Sequence, residues 1–226
     1  MVTRAAAVER RLVGHGILEV MKGSRLHCLT HQAVRAVARR TDLRVWRSAF
    51  GDERPLHFTK EGVVRQYADR FGLRSFIETG TYMGDMAHAV RDCFDRIVTV
   101  ELDRGFCNAA RWRLRKLSHV TVIEGDSSTV LPRILQTTHE PCLFWLDAHY
   151  SGWPTSKSDV ETPIIRELEV IFDHPVRDHV VLIDDACCFT GQNDYPSVGH
   201  LRDFTTARRP DMSVQVADDI IRLHPA

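Results

Sequence analysis

Five short apolar runs alternate with four segments of helical periodicity between residues 75 and 184, and few folds accept that rhythm. The runs are Ser75–Glu78, Ile97–Leu102, Val120–Glu124, Cys142–Asp147 and Val180–Asp184. Each is too short for a buried helix and rich in branched or aromatic residues, as strands are. The segments between them, 84–94, 104–117, 128–136 and 162–173, carry apolar residues at helical spacing, and the last opens with Thr162-Pro163, a cap followed by a first-turn proline. Parallel strands need such crossover helices, which cover both faces of the sheet. The predicted class is therefore α/β with a largely parallel sheet. A helix precedes the pattern, with Thr59 as its expected cap, Val63, Val64, Tyr67, Ala68 and Phe71 as its apolar face, and Gly72 just past its end. A further helix at 197–208 is followed by the runs Ser213–Val216 and Ile220–Leu223, and Asp218-Asp219 between them predicts a closing antiparallel hairpin.

The chain of 226 residues is long enough for one such domain with an extension. The division is expected near residue 56, with a helical extension over 1–56 and the α/β domain over 57–226. Residues 3–22 place Val8, Leu12, Val13, Ile17 and Met21 near one helix face, and 31–40 reads as a second short helix. Residues 1–50 hold ten basic side chains against three acidic ones, a charge of +7 that leaves −7 for the rest of a neutral chain. Two readings are open: a basic lid over an anionic ligand or acidic partner, or a solvated helix face resting on the acidic domain. Neutral overall charge gives no sign of a nucleic-acid surface. No apolar run approaches the ~20 residues that span a bilayer, and the N-terminus lacks a signal-peptide core, so no membrane partner and a cytoplasmic location are expected. Six cysteines show no C-x-x-C pair or zinc spacing, which predicts reduced thiols, with Cys142 in the core. A homodimer is compatible with the sequence.

The chemistry lies at the ends of the runs, and in open parallel sheets ligands bind outside the carboxyl ends of the strands. The first run leads into Glu78-Thr79-Gly80-Thr81-Tyr82-Met83-Gly84, where Gly80 permits a tight turn and close approach to a ligand and Glu78 offers a carboxylate to an ammonium group. The second ends in Glu101, 23 residues after Glu78, near the interval at which an acidic residue accepts from ribose hydroxyls. The third ends Gly125-Asp126-Ser127, where Asp126 either accepts from an adenine amino group or joins Ser127 in capping the next helix. A dinucleotide reading fails on two counts: G-x-G-x-x-G is missing, and Glu78 would face a pyrophosphate of like charge.

The ordered blocks ETGTYMG, VTVELD, VIEGDSS, FWLDAHYSG and VVLIDDACCF resemble class I S-adenosylmethionine-dependent methyltransferases, and are most similar to a bacterial group patterned ETGTY-x-G, L-D-G-H-Y-S-G-G, T-P-I and I-D-D-A. The resemblance covers about residues 57–205. It implies a Rossmann-like seven-stranded sheet and cofactor contacts at Glu78, Gly80, Thr81, Gly84, Glu101, Asp126, Ser127 and Asp147. Ala148 and Trp153 depart from the glycines of that pattern, on the side where the acceptor would bind.

Asp147, His149 and Tyr150 follow the fourth run, and Asp184 and Asp185 end the fifth. Three carboxylates at neighbouring strand ends repel unless protonated or neutralised, which makes Asp147, Asp184 and Asp185 candidate ligands for Mg²⁺. The alternative is that one caps a loop and another pairs with an arginine. His149 is the candidate general base, and Tyr150 and Trp153 are candidate acceptor-pocket residues. The catechol-type O-methyltransferases carry a similar arrangement, so the expected activity is O-methylation of a small-molecule hydroxyl, a sugar or natural product. Two other expectations remain open: a same-fold enzyme that alkylates intramolecularly and releases methylthioadenosine, and a non-catalytic cofactor-binding module.

Overall fold

The computed structural model describes residues 57–147, 162–192 and 194–226. The alternation read from the sequence becomes one seven-stranded sheet in the order β3-β2-β1-β4-β5-β7-β6. Its strands are β1 (Ser75–Thr79), β2 (Arg96–Glu101), β3 (Val120–Glu124), β4 (Cys142–Leu146), β5 (Val180–Ile183), β6 (Met212–Ala217) and β7 (Ile220–Pro225). The first five are parallel; β7 runs antiparallel to both β5 and β6, which is the expected closing hairpin. Asp218 and Asp219 turn that hairpin with φ of 53° and 58°, the left-handed pair such tight turns require.

Six α-helices among the described residues cover the faces: α1 (His57–Phe71), α2 (Asp85–Ala89), α3 (Arg104–Leu114), α4 (Ser127–Gln136), α5 (Ile164–Asp173) and α6 (Val198–Arg208). Strand alternation divides the core. Phe76, Ile97, Leu143, Trp145 and Leu182 pack on one face with Val63, Val64 and Tyr67 of α1 and Leu114 of α3. Ile77, Val98, Phe144, Val181 and Ile183 pack on the other with Leu131 of α4, Leu168 of α5 and Leu201 of α6. Cys142 is fully buried, as expected.

The ends of α1 show what sequence reading got wrong and right. The helix begins by His57, so Thr59 lies inside it and does not cap it. Gly72 does terminate it, at φ 62°, with the Gly72 amide bonded to Asp69 O and the Leu73 amide to Ala68 O. Those two bonds satisfy last-turn carbonyls that would otherwise be orphaned. The expected helix 84–94 is shorter, Asp85–Ala89, because Val90 leaves helical geometry at φ −101°.

At the amino-terminal edge a buried imidazole pair ties three elements together. The Cys142 amide donates to His179 Nδ1 at 3.0 Å, the two rings meet at 2.9 Å, and His174 Nε2 lies 3.1 Å from Leu135 O. With His179 Nδ1 accepting, its Nε2–H donates to His174 Nδ1, and His174 donates onward to the carbonyl; both rings are neutral.

Candidate active site

The carboxyl edge of the sheet collects the acidic residues read from the sequence. Glu78 and Thr99 are register partners on β1 and β2, so they share a face, and the Thr99 hydroxyl donates to Glu78 Oε2 at 2.5 Å. Thr81 Oγ1 bonds in turn to Thr99 Oγ1. Glu78 is 2% exposed, and burial pushes its carboxyl well above the ordinary range. Thr99 opposes that push, and Asp147, Asp85 and Glu101 add to it. Thr99 was missed from the sequence; its only signal was a polar residue inside an apolar run.

The turn after β1 is built by its backbone. The Gly80 and Thr81 amides both reach Val100 O, at 3.0 and 3.1 Å, with Gly80 at φ 83°. Gly84 has φ 73°, and a β-carbon there would lie 2.9 Å from Leu114 Cδ1. Its glycine is thus explained by backbone conformation and close packing on α3.

Glu101 accepts the Tyr82 amide at 2.6 Å and the Asp103 amide at 2.8 Å, one on each oxygen. The two bonds hold its carboxylate at the mouth of the loop. Leu102 follows it as an exposed large apolar side chain. Asp103 caps α3 by accepting from the Gly105 and Phe106 amides. Asp126 caps α4: its Oδ1 accepts the Ser128 amide at 2.8 Å and the Ser128 hydroxyl at 2.6 Å, while Ser127 opens the helix as a buried residue.

β4 and β5 are neighbours, and the ladder continues past both, with the Asp147 amide on Thr79 O and the Asp184 amide on Leu146 O, each at 3.0 Å. Asp184 is buried, and Asp185 stands at φ 51°, ψ 53°. The counter-charge to this acidic end comes from a residue the sequence reading passed over. Lys60 Nζ pairs with Asp184 Oδ1 and, at 3.0 Å, with Asp185 Oδ1. Burial lowers the Lys60 ammonium pKa, but Asp184, Asp185 and Asp147 outweigh it and hold the group above its ordinary range. Burial pushes the Asp184 carboxyl up, and Lys60 pulls against it. A signal did exist: a lysine in the first turn of a helix faces the positive end of its dipole, so it needs an anion nearby.

Among the described residues no group of three or more histidine, cysteine or acidic side chains is arranged to hold a metal ion. One oxygen each of Asp184 and Asp185, both proposed for Mg²⁺, is engaged by the Lys60 ammonium, and a divalent ion bound there would sit against that charge, so this donor set does not fit one as arranged. His149, Tyr150 and Trp153 lie outside the described residues. No helix among the described residues is long and apolar enough to cross a membrane.

Neither a family model nor a curated protein matches the sequence. Solved structures share its fold. The O-methyltransferase TomG of Streptomyces achromogenes, involved in tomaymycin synthesis and crystallised with S-adenosylmethionine, superposes with a TM-score of 0.53 at 20% identity, over 77% of this chain and 82% of its own. An O-methyltransferase of Bacillus cereus with S-adenosylhomocysteine gives 0.53 at 18% identity, over 81% and 88%. The methyltransferase PaMTH1 of Podospora anserina, also bound to S-adenosylhomocysteine, gives 0.52 at 18%, over 74% and 78%. With its seven-stranded sheet and strand order, the chain has the fold of the class I methyltransferases.

Proposed function

We propose that the protein is an S-adenosylmethionine-dependent methyltransferase acting on the hydroxyl of a small molecule. The observation that carries this reading is Glu78: a buried carboxylate, ringed by other acids at the carboxyl edge, suits a cationic ligand. S-adenosylmethionine, which carries an ammonium and a sulfonium, supplies an activated methyl group when bound. Glu78 faces the ammonium in this reading. Glu101, held by two backbone amides, accepts the ribose hydroxyls, since each ionised oxygen accepts more than one bond. Asp126 reaches the adenine amino group while still capping α4, with Ser127 beside it, and Leu102 offers an apolar surface to the base. Gly80, Thr81 and Gly84 shape the turn, and Asp147 closes the pocket between β1 and β4. His149 removes the acceptor proton, and Tyr150 lines the acceptor side. The protein's remaining task is to place the acceptor oxygen in line. The similar folds of O-methyltransferases, TomG among them, support oxygen as the nucleophile.

Calorimetry with S-adenosylmethionine and S-adenosylhomocysteine tests the reading. Both should bind, and Glu101→Ala should weaken both by roughly 1.5–3 kcal/mol, the range for hydrogen bonds to a charged group. Absence of binding to the wild type, or unchanged affinity in the variant, refutes it.

Residues 1–56 are proposed as a helical cover that excludes water from the closed site. A chain beginning at Leu56 should then fold and bind S-adenosylmethionine weakly. Full affinity in that shortened chain would assign the extension another role.

A further inference from the structure

We infer that Lys60 is the cation of the acceptor site, an ammonium built into the chain where its carboxylates would otherwise call for a divalent ion. The functional consequence rests on the methyl-transfer reading above; the geometry does not. Two consecutive carboxylates end β5, and Asp147 ends the neighbouring β4. Adjacent strands lie about 4.8 Å apart, so these groups need a counter-charge. Lys60 Nζ bonds to Asp184 Oδ1 and to Asp185 Oδ1, with its side chain only 12% exposed.

The surrounding structure is organised to hold that contact. The Asp185 amide donates to Asp184 Oδ1 at 2.7 Å, and the left-handed backbone of Asp185 turns the loop there. The Ala186 and Cys187 amides bond to Asp219 O and Oδ1, at 2.9 and 2.7 Å, which ties the loop to the β6–β7 turn. Lys60 itself gives up rotamer freedom and stands against the helix dipole of α1, costs that only the carboxylates offset. A dication on the same two oxygens would sit within about 4 Å of the ammonium, where like charges repel strongly even at an effective permittivity near 20.

An ammonium has three donors, and the two carboxylates take two. The third is the donor an acceptor oxygen would meet as its proton leaves. The site therefore selects acceptors whose reacting hydroxyl becomes an oxyanion, and it does so without metal.

Mn²⁺, as a probe for divalent ions, is titrated calorimetrically into the intact protein, with S-adenosylmethionine titrated in parallel. Mn²⁺ uptake is scored as belonging to this site where Asp184→Asn abolishes it. The wild type and Lys60→Arg, which keeps the charge, should show none. Lys60→Met should gain one equivalent, bound at least about a hundredfold tighter than by the wild type, because the opposing charge is gone. The gain reads whether the ammonium fills a site that a divalent ion would otherwise take. Wild-type uptake that Asp184→Asn removes overturns the inference, and so does a folded Lys60→Met that takes up no Mn²⁺. If Lys60→Met does not fold, the wild-type arm decides alone, in either direction. Failure of the wild type to bind S-adenosylmethionine would sink the methyl-transfer reading and leave the Mn²⁺ result standing.

Discussion

Glu78→Gln is expected to stabilise the unliganded protein at pH 8 and, in the same molecule, to weaken S-adenosylmethionine binding by about a hundredfold or more. Glu78 is buried at the end of β1, and its carboxyl is pushed up first by burial and further by Asp147, Asp85 and Glu101. Its folded pKa therefore exceeds its unfolded one. Such a group contributes stability at low pH, and that contribution disappears as pH rises through the folded value. Glutamine removes the charge but keeps an acceptor for the Thr99 hydroxyl, so the stability gap in favour of the variant should widen with pH. Binding tells the opposite story. Removing one partner of a buried ion pair costs about 3–5 kcal/mol, and in the proposed reading the stranded partner is the ligand's ammonium. Urea unfolding at several pH values gives the first quantity and calorimetry the second. Equal affinity in the two proteins, or a variant less stable than wild type at pH 8, would overturn this account of Glu78.

The second large effect is acid sensitivity at the opposite edge of the sheet. Burial, then the neighbouring His174 and Arg209, lowers the pKa of His179 from 6.5 to about 4. A histidine depressed in this way takes up its proton in the unfolded chain before the folded one. Its contribution is intact above pH 6.5 and is lost as pH falls towards 4, by roughly 3 kcal/mol at 1.36 kcal/mol per unit. Protonation would give His179 Nδ1 a hydrogen where it now accepts the Cys142 amide, so the pair cannot keep both bonds. Glu78 titrates with the opposite sign, so total stability does not isolate the effect. The difference between wild type and His179→Gln does: whatever its value at pH 7, it should shift against the wild type by about 3 kcal/mol on going to pH 4. A difference that stays constant over that range excludes the mechanism.

The fold was legible because its signal is periodic. Apolar runs of strand length separated by helices admit few arrangements, and Asp218-Asp219 announced the hairpin that closes the sheet. Boundaries were less legible where a single dihedral decides them, as at Val90, and where a capping residue such as Thr59 stands inside a helix. The acidic side of the site could be read because each residue terminates a strand. Its organisation could not. For Asp126 the sequence left a cap and a ligand contact as alternatives, and the cap is realised. At Gly84 the sequence did not show the packing constraint, the approach of Leu114 from 30 positions along the chain. Lys60 was passed over because charge crowding at Asp184 and Asp185 names the need for a cation but not its source, and a first-turn lysine names the need for an anion but not which one.

Lys60 and Asp185 are separated by 125 positions, and this sets an order on the making of the site. At roughly 5–20 residues per second, a ribosome that has added Lys60 needs about 6–25 s more to add its partner. Glu78, Glu101 and Asp126 are added to the nascent chain within that interval, while the ammonium has no β5 to dock against. The half of the site that would hold a cofactor can thus be assembled before the half that would hold an acceptor. The ion pair between α1 and the end of β5 is a clasp that closes late, joining the first of the described helices to the strand beside β4.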